Sequence, residues 1–217
     1  MKINFRHAGR YKPAARSRGG LVIGVVILTL SCFGGAAHAA DQEKAKAIVT
    51  EVCSACHGID GNSTVPTFPK LAGRHPDYLV RELKEFGSGK RHSDIMAPIV
   101  ATVDPGDYKA LGEYFGAQKP TSEKVLDQKA ADAGKKLYMD GDEERGVPSC
   151  AGCHDANGGG NKRFPRLAGQ HRDYLIDQMH NFQKDVRNYD AARVMREVAK
   201  RLTEDEIKAV AEFLTGL

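Results

Sequence analysis

Cys53-Ser-Ala-Cys56-His57 recurs 97 residues later as Cys150-Ala-Gly-Cys153-His154. Residues three apart on a helical turn share a face, so each pair of thiols can reach one edge of a flat macrocycle. A histidine follows each pair at once, placed to turn an imidazole under the ring. This is the spacing of covalent haem c attachment, in which two sulfurs add to two vinyl groups. Other chemistries use paired cysteines, but they explain less. A four-thiolate zinc site does not need the histidine and would have to gather pairs 97 residues apart. A thioredoxin-like redox pair wants strand–helix alternation around it, which is absent here. Two disulfides would leave both histidines unexplained.

The repeat extends well beyond these motifs. Phe68-Pro-Lys-Leu-Ala-Gly-Arg-His-Pro-Asp-Tyr-Leu79 matches Phe164-Pro-Arg-Leu-Ala-Gly-Gln-His-Arg-Asp-Tyr-Leu175 at an offset of 96. Met96 matches Met195 at an offset of 99. Ile99, Val103, Ala110, Leu111 and Tyr114 then align with Val198, Leu202, Ala209, Val210 and Phe213. Two copies are too few for a solenoid; the pattern is that of two duplicated domains.

Each copy reads as helical. In the first, helices are expected over 41–53, over Pro76–Phe86, and from an Asp104-Pro105 start, with N-cap and proline at the first helical position, to about Phe115. In the second they are expected over Gln128–Met139, Arg172–Lys184 and Glu204–Leu214, the last opened by a Thr203/Glu206 capping box. Gly58–Thr67 and Asn157–Asn161 read as loops. The fold class is therefore all-α. The expected organisation is a signal peptide over 1–39, domains over 40–118 and 124–217, and a linker over 119–123. Domains of this size have marginal cores of their own, so a buried haem would complete each one.

The formal charge of +4 is set by the N-terminus. Residues 1–39 hold six basic residues and no acidic ones, and the remainder carries 26 basic against 28 acidic. A nucleic-acid footprint vanishes with that segment. Basic residues, then the apolar run Leu21–Leu30, then Ala37-His38-Ala39 follow the order of a secretory signal peptide. Cleavage is expected after Ala39, with Cys32 discarded and the protein delivered to the periplasm. The apolar run is shorter than the ~20 residues of a membrane span.

The sixth iron ligand is sought among methionine and histidine. Met1 leaves with the signal peptide, Met139 has no partner in the first half, and Met179 holds a core position matching Leu83. Met96 and Met195 alone repeat, and methionine with histidine is an established ligand set that raises the potential. His75 and His171 repeat too and offer a bis-histidine alternative; the competing reading is a polar residue at a helix start, bonding a propionate or backbone. His92 and His180 have no repeated counterpart and read as surface residues.

On these residues each half resembles the class I cytochromes c, and residues 41–217 resemble the dihaem cytochrome c4 family. The resemblance implies two haem c groups, held covalently by Cys53, Cys56, Cys150 and Cys153. It implies axial pairs His57/Met96 and His154/Met195, with the carbonyls of Pro69 and Pro165 accepting from the two histidines. It implies domains packed with their haem propionates close together. Arg74, where the second half has Gln170, is expected to alter that interdomain surface and not haem attachment. The function implied is electron transfer without catalysis, from quinol-oxidising membrane complexes or dehydrogenases to a terminal oxidase, by a soluble or peripherally attached carrier. The alternative is a haem enzyme, or a cytochrome subunit of a redox enzyme, with one open site.

Overall fold

The computed structural model describes residues 33–217, with side chains from residue 38 onward. The basic stretch, the apolar run Leu21–Leu30 and Cys32 lie outside the described residues. Ten α-helices follow one another among those described: α1 Phe33–Ile48, α2 Ser54–His57, α3 Pro76–Gly87, α4 Met96–Val100, α5 Tyr108–Gly116, α6 Gln128–Asp140, α7 Ala151–His154, α8 Arg172–Gln183, α9 Val194–Ala199 and α10 Glu204–Thr215. Strand pairing among them amounts to one isolated bridge, Asp142 with Val147.

Local chemistry accounts for most helix boundaries. Proline opens α3 at its first position, and His75 before it accepts from the Asp77 N–H at 3.2 Å. The Thr203 hydroxyl and the Glu206 carboxylate satisfy each other's backbone N–H groups at the start of α10. Asp104 caps its turn by accepting from the Gly106 N–H, but the turn it starts is 3₁₀ over Pro105–Asp107, and α5 begins only at Tyr108. The helix expected from residue 41 is instead one with the Ala-rich stretch before it. Alanine is the strongest helix former and no proline interrupts, so α1 runs through Ala39 and continues as a π-helical turn, Val49–Cys53, into α2.

Each half packs three main helices. Ala45 and Val49 meet Tyr78, Leu79, Ala110, Leu111 and Phe115 in the first. Tyr138, Leu175, Ala211 and Leu214 meet in the second, with Val147, Leu202 and Ile207 beside them. The crossing of α6 on α10 is the most extensive helix pair in the described chain. It is close because Gly134 presents no side chain: a Cβ there would lie 1.9 Å from the Ala209 carbonyl oxygen.

The halves face each other across a pseudo-symmetric seam. Buried Gln170 accepts from the Lys70 N–H at 2.9 Å and donates to the Lys70 carbonyl at 3.0 Å. Arg74, its counterpart, donates to the Arg166 carbonyl at 2.7 Å. The segment after α5 is tied to both sides. Asn62 accepts from the Thr121 N–H, the Glu123 N–H reaches Thr215, and the Glu123 carboxylate meets Lys70 and His171.

Candidate functional site

In the first half Cys53, Cys56 and His57 stand on the π-turn and the single turn of α2. Gly58, at φ 75°, stops the helix there. The chain then doubles back, the Gly61 carbonyl accepting from the Leu71 and Ala72 N–H groups at 2.7 and 3.1 Å. A Cβ at Gly61 would lie 2.8 Å from Ala72 N and from the Phe115 ring, so this approach requires glycine. The loop brings Phe68-Pro69 beneath His57. The His57 Nδ1 lies 2.9 Å from the Pro69 carbonyl, and the Phe68 ring meets the imidazole edge-on at 6.4 Å. A carbonyl only accepts, so Nδ1 carries the proton and Nε2 keeps its lone pair. Burial holds the imidazole below its ordinary pKa, against the Pro69 hydrogen bond.

The second half repeats this arrangement. His154 Nδ1 lies 3.0 Å from the Pro165 carbonyl, and Phe164 stands edge-on at 5.9 Å. The Gly158 carbonyl accepts from Leu167 and Ala168 as Gly61 does from Leu71 and Ala72. One feature differs. Asp155 replaces Gly58 yet adopts the same backbone, φ 66° and ψ 153°. The Tyr138 hydroxyl donates to the Asp155 carbonyl at 2.7 Å and holds this strained turn.

The four cysteines are half-buried. Burial pushes the Cys53 and Cys150 thiols up to about 11. Among the described residues no group of three or more histidine, cysteine or acidic side chains gathers as a metal site.

Met96 opens α4 and Met195 is the second residue of α9, both half-buried. Neither short helix was anticipated from the sequence. Ser93 accepts from the Met96 N–H at 3.1 Å. The turn before Met195 is three residues longer and places Ala192 and Arg193 at φ 53° and 60°. Asp190 braces it by pairing with Arg196 at 2.6 Å and accepting its backbone N–H at 3.2 Å.

In the first half these groups share one cavity of about 580 Å³. Cys53, Cys56 and His57 line one side and Met96 another, with Leu71, Leu79, Leu83 and Phe115 between them. A largely apolar volume of this size fits a haem, with the attaching thiols and a neutral imidazole at its wall.

The other histidines sort differently. His75 lies outside that wall and caps α3. His171 is buried, and its Nδ1 meets the Glu123 carboxylate from the segment after α5. His92 is exposed at the cavity rim. His180, read as a surface residue, is half-buried because Glu204 at the start of α10 accepts from it at 2.7 Å. Met139 is exposed, and Met179 packs beside Val147, Leu202 and Ile207.

Sequence reasoning did not anticipate the polar end of the first cavity. Arg74, Glu82 and Arg91 form part of it, and Tyr174, Gln178 and Arg187 reach it from the second half. The signal was present: Tyr78 and Arg91 match Tyr174 and Arg187 at the same 96-residue offset as the Phe-Pro stretches.

The cytochrome c family model matches the chain twice, over residues 42–121 and 131–217. The chain is 39% identical to cytochrome c4 of Thiocapsa roseopersicina across 82% of its own length and 93% of that protein. It is 33% identical to a thiosulfate dehydrogenase electron acceptor of Stutzerimonas stutzeri (strain A1501), over 89% and 93% of the two chains. The crystal structure of reduced recombinant cytochrome c4 from Pseudomonas stutzeri matches with a TM-score of 0.77 at 35% identity, covering 81% of this chain and 98% of that one.

Proposed function

The chain belongs to the dihaem cytochrome c4 family of electron-transfer proteins, with two covalently bound haems c, and from that premise we propose that it is a periplasmic carrier with two closed haem sites. In this reading His57 and Met96 hold one iron, and His154 and Met195 the other. Cys53, Cys56, Cys150 and Cys153 form the thioether bonds, and an N-terminal signal peptide over 1–39 exports the chain. Domains over 40–118 and 124–217 each take one haem, joined by the segment 119–123. The donors are quinol-oxidising membrane complexes or dehydrogenases, and the acceptor is a terminal oxidase.

The observation that carries the reading is the single cavity lined by Cys53, Cys56, His57 and Met96. When bound, the haem supplies one-electron exchange between ferrous and ferric iron. The protein's part is positioning and exclusion. The carbonyls of Pro69 and Pro165 fix the tautomer and orientation of each histidine. Phe68 and Phe164 pack edge-on against the two imidazoles. Leucine and phenylalanine side chains line much of the first site, which limits the polar groups that reorganise when the charge changes.

A dehydrogenase donor gains support from the relative described as an electron acceptor of thiosulfate dehydrogenase. The test of the carrier reading is reoxidation of the ferrous holoprotein by oxidase-containing membranes. Cyanide-sensitive reoxidation with no carbon monoxide adduct of the holoprotein supports it. Carbon monoxide binding by the native ferrous protein points to the open-site alternative.

A further inference from the structure

Arg91 and Arg187 are matched residues that cross between the halves. Arg91 donates to Tyr174 at 2.9 Å and to Gln178 at 3.0 Å, both in the second half. Arg187 donates to Tyr78 at 3.2 Å and to Glu82 at 3.1 Å, both in the first. Each arginine also stacks on the matching phenylalanine of its own half, Arg91 on Phe86 at 4.5 Å and Arg187 on Phe182 at 4.8 Å. Both side chains are 12% exposed.

The symmetry breaks at one pair. Glu82 in the first half corresponds to Gln178 in the second. Glu82 is buried, takes Arg91 at 2.5 Å and Arg187 at 3.1 Å, and receives the Tyr189 hydroxyl. Two partly buried guanidinium groups therefore share one buried carboxylate. Arg74, also buried on this wall, adds a third positive charge, and the other acid lining the cavity, Asp177, is exposed. The excess is felt at Tyr174: burial pushes its phenol up, but the charges of Arg91 and Arg187 outweigh it and hold it below the ordinary range.

This positive wall closes the first half's cavity, and Arg187 is brought to it by the second half. We propose that Arg187 is a potential-setting residue for the haem of the opposite, first half, and that Glu82 opposes it. A positive charge on the wall disfavours the additional positive charge of the oxidised site and so raises its potential; a carboxylate does the reverse. The low dielectric of a buried seam makes both effects larger than at the surface. The inference rests on the proposed His57/Met96 site.

The experiment is a redox titration of the full-length holoprotein in which the two haems are followed separately by their resolved haem methyl resonances. Arg187→Gln lowers the potential of the first-half haem more than that of the second, Glu82→Gln raises it, and Arg187→Lys restores most of the parent value. Solution scattering on the same samples reports whether the halves stay docked. Arg187→Lys and Glu82→Gln decide the matter if Arg187→Gln separates them. Equal shifts of both haems, a larger shift of the second, or no shift in docked variants overturns the inference while leaving the site reading intact. Loss of the ferric methionine charge-transfer band from the first haem of the parent protein overturns both.

Discussion

Gly134→Ala sets two effects of opposite sign against each other. Gly134 lies inside α6, where alanine is favoured over glycine by about 1 kcal/mol. Were α6 an independent helix, the substitution would stabilise it. The structure places the new Cβ 1.9 Å from the Ala209 carbonyl oxygen and 2.8 Å from the Val210 nitrogen, where ordinary contact begins near 3.4 Å. The obstacle is backbone, so α10 must retreat by roughly 1.5 Å along its largest contact. Overpacking of this kind costs about 1–3 kcal/mol, and more where backbone must shift. The net expectation is a loss of about 2 kcal/mol, which lowers the melting midpoint of a domain this size by about 8–16 °C. Calorimetry of the holoprotein measures it. Gly152→Ala is the control: nothing lies within 4 Å of its new Cβ, and the first half already has Ala55 at that position. A Gly134→Ala protein as stable as the parent, or more stable, would refute the close crossing.

Asp155→Gly should raise stability by about 1 kcal/mol, because a non-glycine residue at φ 66°, ψ 153° costs of order 1–3 kcal/mol and glycine returns part of that as chain entropy. Denaturant midpoints of the two holoproteins decide it, and an unchanged or lower midpoint contradicts the strain. Acid should loosen the seam between the halves. Burial pushes the Glu82 carboxyl up, but Arg187 and Arg91 outweigh it and hold it below its ordinary value of 4.5. A carboxylate depressed in the folded state stabilises fully above that value and loses its contribution as pH falls below it, through the folded pKa. Thermal midpoints between pH 7 and 3 should therefore fall below about pH 4.5, and less steeply in Glu82→Gln. Met96→Ala and Met195→Ala should each lower the potential of one haem and open that one to carbon monoxide. Titration and difference spectra of each variant test this, and an effect on both haems from either change would contradict separate sites.

What the sequence made legible was local or repeated. The Thr203/Glu206 box is a contact between near neighbours, and it is present as a pair of hydrogen bonds. The helices that carry apolar residues at regular spacing, α3 and α10, lie within a residue of their expected ends. The short helices α4 and α9 were invisible because five or six residues cannot display a 3.6-residue period. The partner of His171 could not be read either, since Glu123 is 48 residues away and comes from a stretch that looked like simple linker. The crossing arginines needed both halves in place. Their matched positions lie in the repeat, but only the docked structure puts Arg187 against Tyr78.

The number of methionine-ligated haems per chain is the most direct measure of closed sites. The ferric holoprotein, with its haem counted chemically, should show the methionine-to-iron charge-transfer absorption at the intensity of two such centres per chain. Half that intensity, or none, would contradict paired closed sites at Met96 and Met195.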